Sequence, residues 1–429
     1  MNDLEQWAIL HLEPLGITLE QAHRDADSDD FAPEPYVTPQ ALSALHRLRS
    51  ARSGTLTPVA AYSPAMAPTL PLTVAADPGD PTLAHFKDTS TSLVVPFGDL
   101  PKIISGLGVD FTRPTYRTLV VDTPATLHRL HQAALADRTA AASPVIDWWV
   151  QRAEHPGTHA TLTATGLLPL RWAAPCPRPE AATIQQWATW THLPDAADPA
   201  TQALALVRLA TICPPLPGLN VMPERDSRDY GYRARGSQKN WHRRDSRSRA
   251  AMGLTTRTQA AEMFASLRLG DPLVATAERL TGTVVTGTVT EIDTRPHRGT
   301  SAVRGARVVT RQPVCRHRAE ASLSGWLGQA WDPQDFLLKA TLAETRMDAN
   351  GSLTLALEDA VNSGPRTLQV GDTITLRPQP VSTRMQSQET GSMFDTYADS
   401  GNWLSRRGKA PQARRAVPMD VVIAAATDD

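Results

Sequence analysis

The chain is 429 residues long, 41% apolar, with a mean hydropathy of -0.29 and a net charge of -1. That length allows two or three domains with sizeable cores, and no apolar run approaches the length of a membrane span. Three scattered cysteines (Cys176, Cys213, Cys315) form no CxxC pair, which excludes a disulfide framework and a zinc knuckle and implies reduced thiols in a cytoplasmic protein.

The opening MNDLEQWAILHLEP has acids and no basic residue before its apolar stretch, unlike a secretory signal. A first helix is expected over Leu4–Leu12. An acidic loop follows, with Asp25, Asp27, Asp29, Asp30 and Glu34. As a calcium loop it fails, because Asp30 and Tyr36 stand where glycine and glutamate are required; it reads as solvated. A second helix starts at Thr38-Pro39 and ends before Gly54.

Residues 55–175 alternate apolar runs with helical patterns. TSLVVPF and YRTLVVDTP read as buried strands. Helices are expected from the Thr123-Pro124 and Ser143-Pro144 starts, one or two strands over 159–172, and further helices over 179–191 and 199–212. The tryptophan pairs Trp148-Trp149 and Trp187/Trp190 fall in helices and read as packing residues. PPLPGLNVMPE at 214–224 reads as a linker, and TTRTQAAEMFASLRLGDP as a short amphipathic helix stopped at Gly270 and Pro272.

From 279 the apolar period becomes two. LTGTVVTGTVTEI, FLLKATLAETRM, SLTLALEDAV and TLQVGDTITLRP read as strands. Asn350-Gly351 marks a hairpin, and Leu353, Leu355 and Leu357 alternate with polar or small residues. The segments GTVVTGTV (282–289) and LQVGDTITL (368–376) resemble the opening and closing strands of the β-barrel second domain of translational GTPases. That resemblance implies a barrel. The phosphate-binding GxxxxGK[ST] loop of such a GTPase is absent from the sequence.

The expected fold is α+β: an N-terminal mixed α/β domain, then a C-terminal antiparallel β-barrel or sandwich, with a polar basic linker and tail. The boundaries are 1–213 for the acidic α/β domain, 214–253 for the Pro-rich then basic linker, 254–378 for a short helix plus the barrel, and 379–429 for a polar basic tail with a final strand.

Charge divides along the chain. Residues 1–222 hold 14 Lys+Arg against 21 Asp+Glu, and residues 223–429 hold 29 against 23. The densest basic stretch, RARGSQKNWHRRDSRSR (233–249), carries Arg233, Arg235, Lys239, Arg243, Arg244, Arg247 and Arg249 against Asp245 alone. Tyr230, Tyr232, Trp241 and His242 are threaded among them. So many charges cannot be buried unpaired, so the stretch is expected at the surface. A second patch, Asn402-Trp403-Leu404-Ser405-Arg406-Arg407, repeats the order of Asn240-Trp241-His242-Arg243-Arg244 on the far side of the barrel segment. Arginine forks suit phosphate, and aromatic rings suit stacking of bases. Arginine outnumbers lysine 38 to 5 throughout, a bias that a GC-rich genome also produces.

Other chemistry is thinly signalled. His155 and His159 near Asp147 and Glu154 are metal-ligand types, but the proline and glycine between the histidines leave their geometry unfixed. His11-Leu12-Glu13 and Pro175-Cys176 lack the second thiolate of a zinc deaminase, since position 179 is proline. No HExxH, GxSxG or GxGxxG occurs. The residues point to a non-enzymatic nucleic-acid-binding or accessory protein without cofactor or metal, contacting phosphate sequence-nonspecifically through Arg233, Arg235, Lys239, Arg243, Arg244, Arg247, Arg249, Arg406 and Arg407, with Trp241 and Trp403 stacking and a protein partner for the acidic domain. The alternatives are an assembly subunit of a mobile-element or phage-like complex, and a metal-dependent hydrolase around His155 and His159.

Overall fold

The computed structural model describes residues 39–176, 178–193, 198–235, 241–243, 247–297, 300–328, 336–362 and 367–379. The expected helix Leu4–Leu12, the acidic loop and the 379–429 tail beyond Gln379 lie outside the described residues. Two compact units emerge, residues 1–242 with 261–380, and residues 243–260 with 381–429.

The first unit opens with helix α1 (Pro39–Ser53). Strands β1 (Leu72–Ala76), β2 (Leu83–Lys87) and β3 (Ser92–Pro96) then form an antiparallel meander. Helix α2 (Leu100–Gly106) leads to β4 (Leu119–Val121), which pairs parallel to β1. Helices α3 (Pro124–Ala136) and α4 (Ser143–Ala153) precede β5 (Thr161–Thr163), parallel to β4. Helices α5 (Ala164–Arg171), α6 (Ile184–Trp190) and α7 (Pro199–Ala210) follow, and the sheet order is β3-β2-β1-β4-β5.

Strand β4 is apolar throughout and β1 is apolar but for Thr73, because both faces of these strands are covered. Leu72, Val74, Phe86, Leu119 and Val121 join one core with Leu130, Ile146, Trp148 and Trp149 from α3 and α4. Ala75, Val120 and Leu162 join a second core with Leu168, Trp187, Ala203, Leu206 and Val207 from α5 to α7. The Thr123 hydroxyl accepts from Thr126 N at 3.3 Å and caps α3 as its sequence implies. Over 159–172 the expected one or two strands stand at the two ends, Thr161–Thr163 in this sheet and Trp172–Ala173 paired with Thr57–Pro58, and α5, which continues through Pro169, fills the stretch between. Ala164 and Leu168, four apart, are its core contacts, a helical and not a strand period.

The 214–253 stretch likewise differs from a linker. Leu216, Leu219 and Met222 are buried, α8 spans Met222–Arg235, and α9 runs Arg247–Arg268, eight residues ahead of its expected start at Thr255. A further helix, α10 (Pro272–Leu280), begins at the Gly270-Asp271-Pro272 break because Asp271 caps it, accepting from Leu273 N and Val274 N. The other oxygen of this buried carboxylate accepts from Ala61 N and Tyr62 N at 2.6 Å. Asp271 thereby pins the entry to the barrel onto the N-terminal segment.

The barrel is closed and antiparallel, with β6 (Val285–His297), β7 (Thr300–Thr310), β8 (Ser322–Leu327), β9 (Phe336–Met347), β10 (Leu353–Asn362) and β11 (Thr373–Pro378). Its order is β8-β9-β10-β7-β6-β11, and β11 closes on β8. The two segments that resemble the translational GTPase barrel lie on neighbouring strands, with Ile374 opposite Gly287. A Cβ at Gly287 would stand 2.6 Å from Val309 O, so only glycine fits. Leu353, Leu355 and Leu357 all point into the core. The expected hairpin closes with Gly351 at φ 81°, its N–H donating to Asp348 O. Among the described residues no helix is long and apolar enough to cross a membrane.

Candidate nucleic-acid interface

Helix α8 carries the first part of the basic stretch, and its pattern is a polar stripe. Asp226, Asp229, Tyr230 and Arg233 stand at i, i+3, i+4 and i+7, one face of a helix. Fully buried Asp226 accepts from Arg152 Nη2 at 2.5 Å, Thr158 Oγ1 at 2.9 Å and His159 N at 2.7 Å. Trp148 Nε1 donates to Asp229 at 2.8 Å, and Arg233 Nη2 donates to Gln151 Oε1 at 2.5 Å. Tyr230, 1% exposed, donates to Asp110 O and packs edge-on against Trp148. Burial pushes its hydroxyl up to about 12. This face of α8 therefore fastens to α4 and its surroundings.

These contacts change the expected aromatic set. Tyr230 is inside the core and unavailable for stacking, whereas Tyr232 is 71% exposed. Trp241, expected to lie open in a polar segment, packs half-buried against the core of the α3–α4 layer, its ring edge-on to His242. An indole next to an apolar surface hides its rings whatever its neighbours' charge. Arg243 is exposed. For Arg235, Arg247 and Arg249 only the backbone is described, in α8 and α9. Lys239, Arg244, Trp403, Arg406 and Arg407 lie outside the described residues.

His155 and His159 enter protein contacts. His155 Nδ1 lies 3.0 Å from Gln151 O, and burial, helped by Arg152, lowers its pKa to about 4. His159 Nδ1 faces Tyr116 Oη at 3.2 Å. Among the described residues no three or more His, Cys, Asp or Glu side chains converge as a metal site would need.

A cationic surface that sequence reading did not single out lies on the barrel. The β7–β8 connection begins RQPVCRHRA and has no acid before Glu320. Arg311, Arg316 and Arg318 are exposed, and none has an ion-pair partner among the described residues. The backbone carrying them is held in place. Gln312 Oε1 accepts from Thr286 N at 2.6 Å, and its Nε2 donates to Arg279 O and Val284 O. Arg316 N donates to Gly282 O, and His317 Nε2 lies 2.8 Å from Thr283 O. Half-buried Cys315 packs against the barrel core. Three guanidinium groups are thus displayed on a fixed loop, each with five donors and a permanent charge for an anion. On β7, exposed Arg304 adds a further cation, while Arg307 is paired with Glu291 at 3.0 Å.

Comparison of the chain with protein-family models, with curated proteins and with solved structures gives no match.

Proposed function

We propose that this chain is a non-enzymatic accessory protein that holds nucleic acid by phosphate contacts with little preference for sequence. The observation that carries the reading is the pinned β7–β8 connection, with Arg311, Arg316 and Arg318 exposed and without acidic partners among the described residues. Phosphate contacts need arginines of this kind, because a guanidinium already engaged by a carboxylate has little left to offer a phosphate. The clustered charge of 233–249, exposed Arg243 included, supplies a second set, with exposed Tyr232 just before it. Reduced thiols fit a cytoplasmic setting: Cys176, Cys213 and Cys315 are half-buried and form no disulfide.

Fluorescence anisotropy of the full chain with labelled single- and double-stranded oligonucleotides, at about 50 and about 200 mM salt, tests this. The expected result is binding that weakens steeply with salt. Replacing Arg311, Arg316 and Arg318 by alanine should lower the slope of log K against log salt by about 2–3. Arg243→Ala/Arg244→Ala should lower it further. Absence of binding at the lower salt, or an affinity indifferent to both sets of substitutions, overturns the reading.

A further inference from the structure

Beside the central strands lies a cavity of about 490 Å³ between β1, the end of β2 and helix α7, within the range of roughly 300–1,000 Å³ typical of small-molecule sites. One half of its wall is apolar, from Leu70, Pro71, Leu204 and Ala205. The other half is polar and carries Thr73, Lys87 and Arg208. None of these residues belongs to the arginine connection of the barrel.

Thr73 is only 1% exposed, and its hydroxyl has no hydrogen-bond partner among the described residues. Thr73 lines the cavity, and its unpaired hydroxyl is a donor still without an acceptor among the described residues. Lys87 Nζ donates to Thr201 Oγ1 at 2.6 Å and stands 3.9 Å from Asp198. That distance leaves its ion pair weak and its remaining donors free. Asp198 itself is shared, since its other oxygen faces His85 Nδ1 at 3.4 Å and its Oδ2 accepts from Thr201. Arg208 is exposed and has no ion-pair partner among the described residues. The one acid of the wall, Asp88, lies 3.7 Å from Arg117 and accepts from Ser90 N and Thr91 N at 2.8 Å. Its charge is thereby satisfied outside the cavity. Leu70, on the wall, holds a left-handed φ of 47°, with its carbonyl accepting from Arg117 Nη2. Strain of this kind in a non-glycine residue gathers at binding sites.

We infer that this cavity binds a small molecule carrying a phosphate monoester. A monoester brings three acceptor oxygens and a charge near -2. Those match the three donors of different kinds, the Thr73 hydroxyl, the Lys87 ammonium and the Arg208 guanidinium, and the two positive charges. The body of the ligand lies on Leu70, Pro71 and Leu204.

Thermal unfolding of the full chain at constant ionic strength, with inorganic phosphate in one arm and adenosine 5′-monophosphate in the other, tests the inference. A ligand of the folded state raises Tm with concentration. Both probes are expected to raise it, and Thr73→Val and Arg208→Ala are expected to abolish the rise. Thr73→Val keeps the side-chain shape and removes only an unpaired hydroxyl, so it folds. The Arg311→Ala/Arg316→Ala/Arg318→Ala variant should keep the rise in full, which separates this cavity from the proposed nucleic-acid surface. No rise with either probe, or a rise that survives in both cavity variants, overturns the inference.

Discussion

On α8, Arg228 pairs with Glu224 at 2.9 Å, Arg225 lies 3.0 Å from Met263 Sδ, and Arg233 donates to Gln151. On the β7–β8 connection, Arg311, Arg316 and Arg318 stand exposed with no ion-pair partner among the described residues, while the backbone beneath them is pinned by Gln312 and His317. Both regions are basic in sequence, yet arginine does different work in each. On α8, Arg233 contributes to an interface inside the fold and Arg228 pairs with an acid of its own helix, whereas on the connection arginine is left over for something outside. The difference comes from the surroundings. Helix α8 carries Glu224 one turn from Arg228 and lies beside Gln151 of α4, whereas the three guanidinium groups of the connection form no ion pair among the described residues.

The largest expected effect breaks the α8 side of this comparison. Asp226→Ala removes the acceptor of Arg152 and of Thr158, leaving a largely buried guanidinium uncompensated. The loss should be about 3–5 kcal/mol, the usual cost of breaking a buried pair from one side. Urea unfolding followed by circular dichroism measures it, and a loss under about 1 kcal/mol would show that α8 is not fastened through this acid.

His155 sharpens the same interface through pH. Burial and Arg152 hold its folded pKa at about 4 against 6.5 unfolded. Above pH 6.5 both states are neutral at this ring. As pH falls from 6.5 toward 4 the unfolded chain takes up a proton that the folded chain refuses, so stability is lost over that window. The loss should be on the order of 2 kcal/mol, allowing for partial exposure. His46, also lowered to about 4, acts in the same direction, while burial raises Asp122 and opposes it low in the window. Comparing His155→Gln with the parent isolates the term, since the substituted protein should show a shallower decline. Identical pH profiles would place His155 in water.

Much of this architecture is legible in sequence where local chemistry agrees with tertiary demand. The Thr-Pro start of α3, the Asn350-Gly351 turn and the alternating leucines of β10 each name their own geometry. Strand β7 hides for a physical reason. Its inward residues Val303, Ala306 and Val308 are spaced three then two, because the pairing with β6 slips between Asp293 and Thr294. A bulge of this kind erases the period of two. The stripe on α8 was legible as Asp226, Asp229, Tyr230 and Arg233 at helical spacing, but its polar character concealed a packed face. The arginines of the β7–β8 connection escaped notice because apolar Pro313, Val314 and Cys315 dilute their density. Their exposure appears only once the fold brings Cys315 to the barrel core.

Arg233→Ala and the triple arginine variant set the two regions side by side at the low end of the energy scale. Removing Arg233 deletes a half-buried hydrogen bond to Gln151, which itself donates to Asp147, and should cost about 1 kcal/mol. Removing Arg311, Arg316 and Arg318 together should change stability by no more than about 0.5 kcal/mol. The bonds that hold the connection use the Arg316 main chain and the side chains of Gln312 and His317, all intact in the variant. Paired denaturant titrations decide the matter. If the triple variant loses as much as Arg233→Ala, these arginines are tied into the fold, and the claim that they are held in reserve for an external anion fails. If it loses nothing while oligonucleotide binding drops, three charges that contribute nothing to folding are accounted for by what they hold.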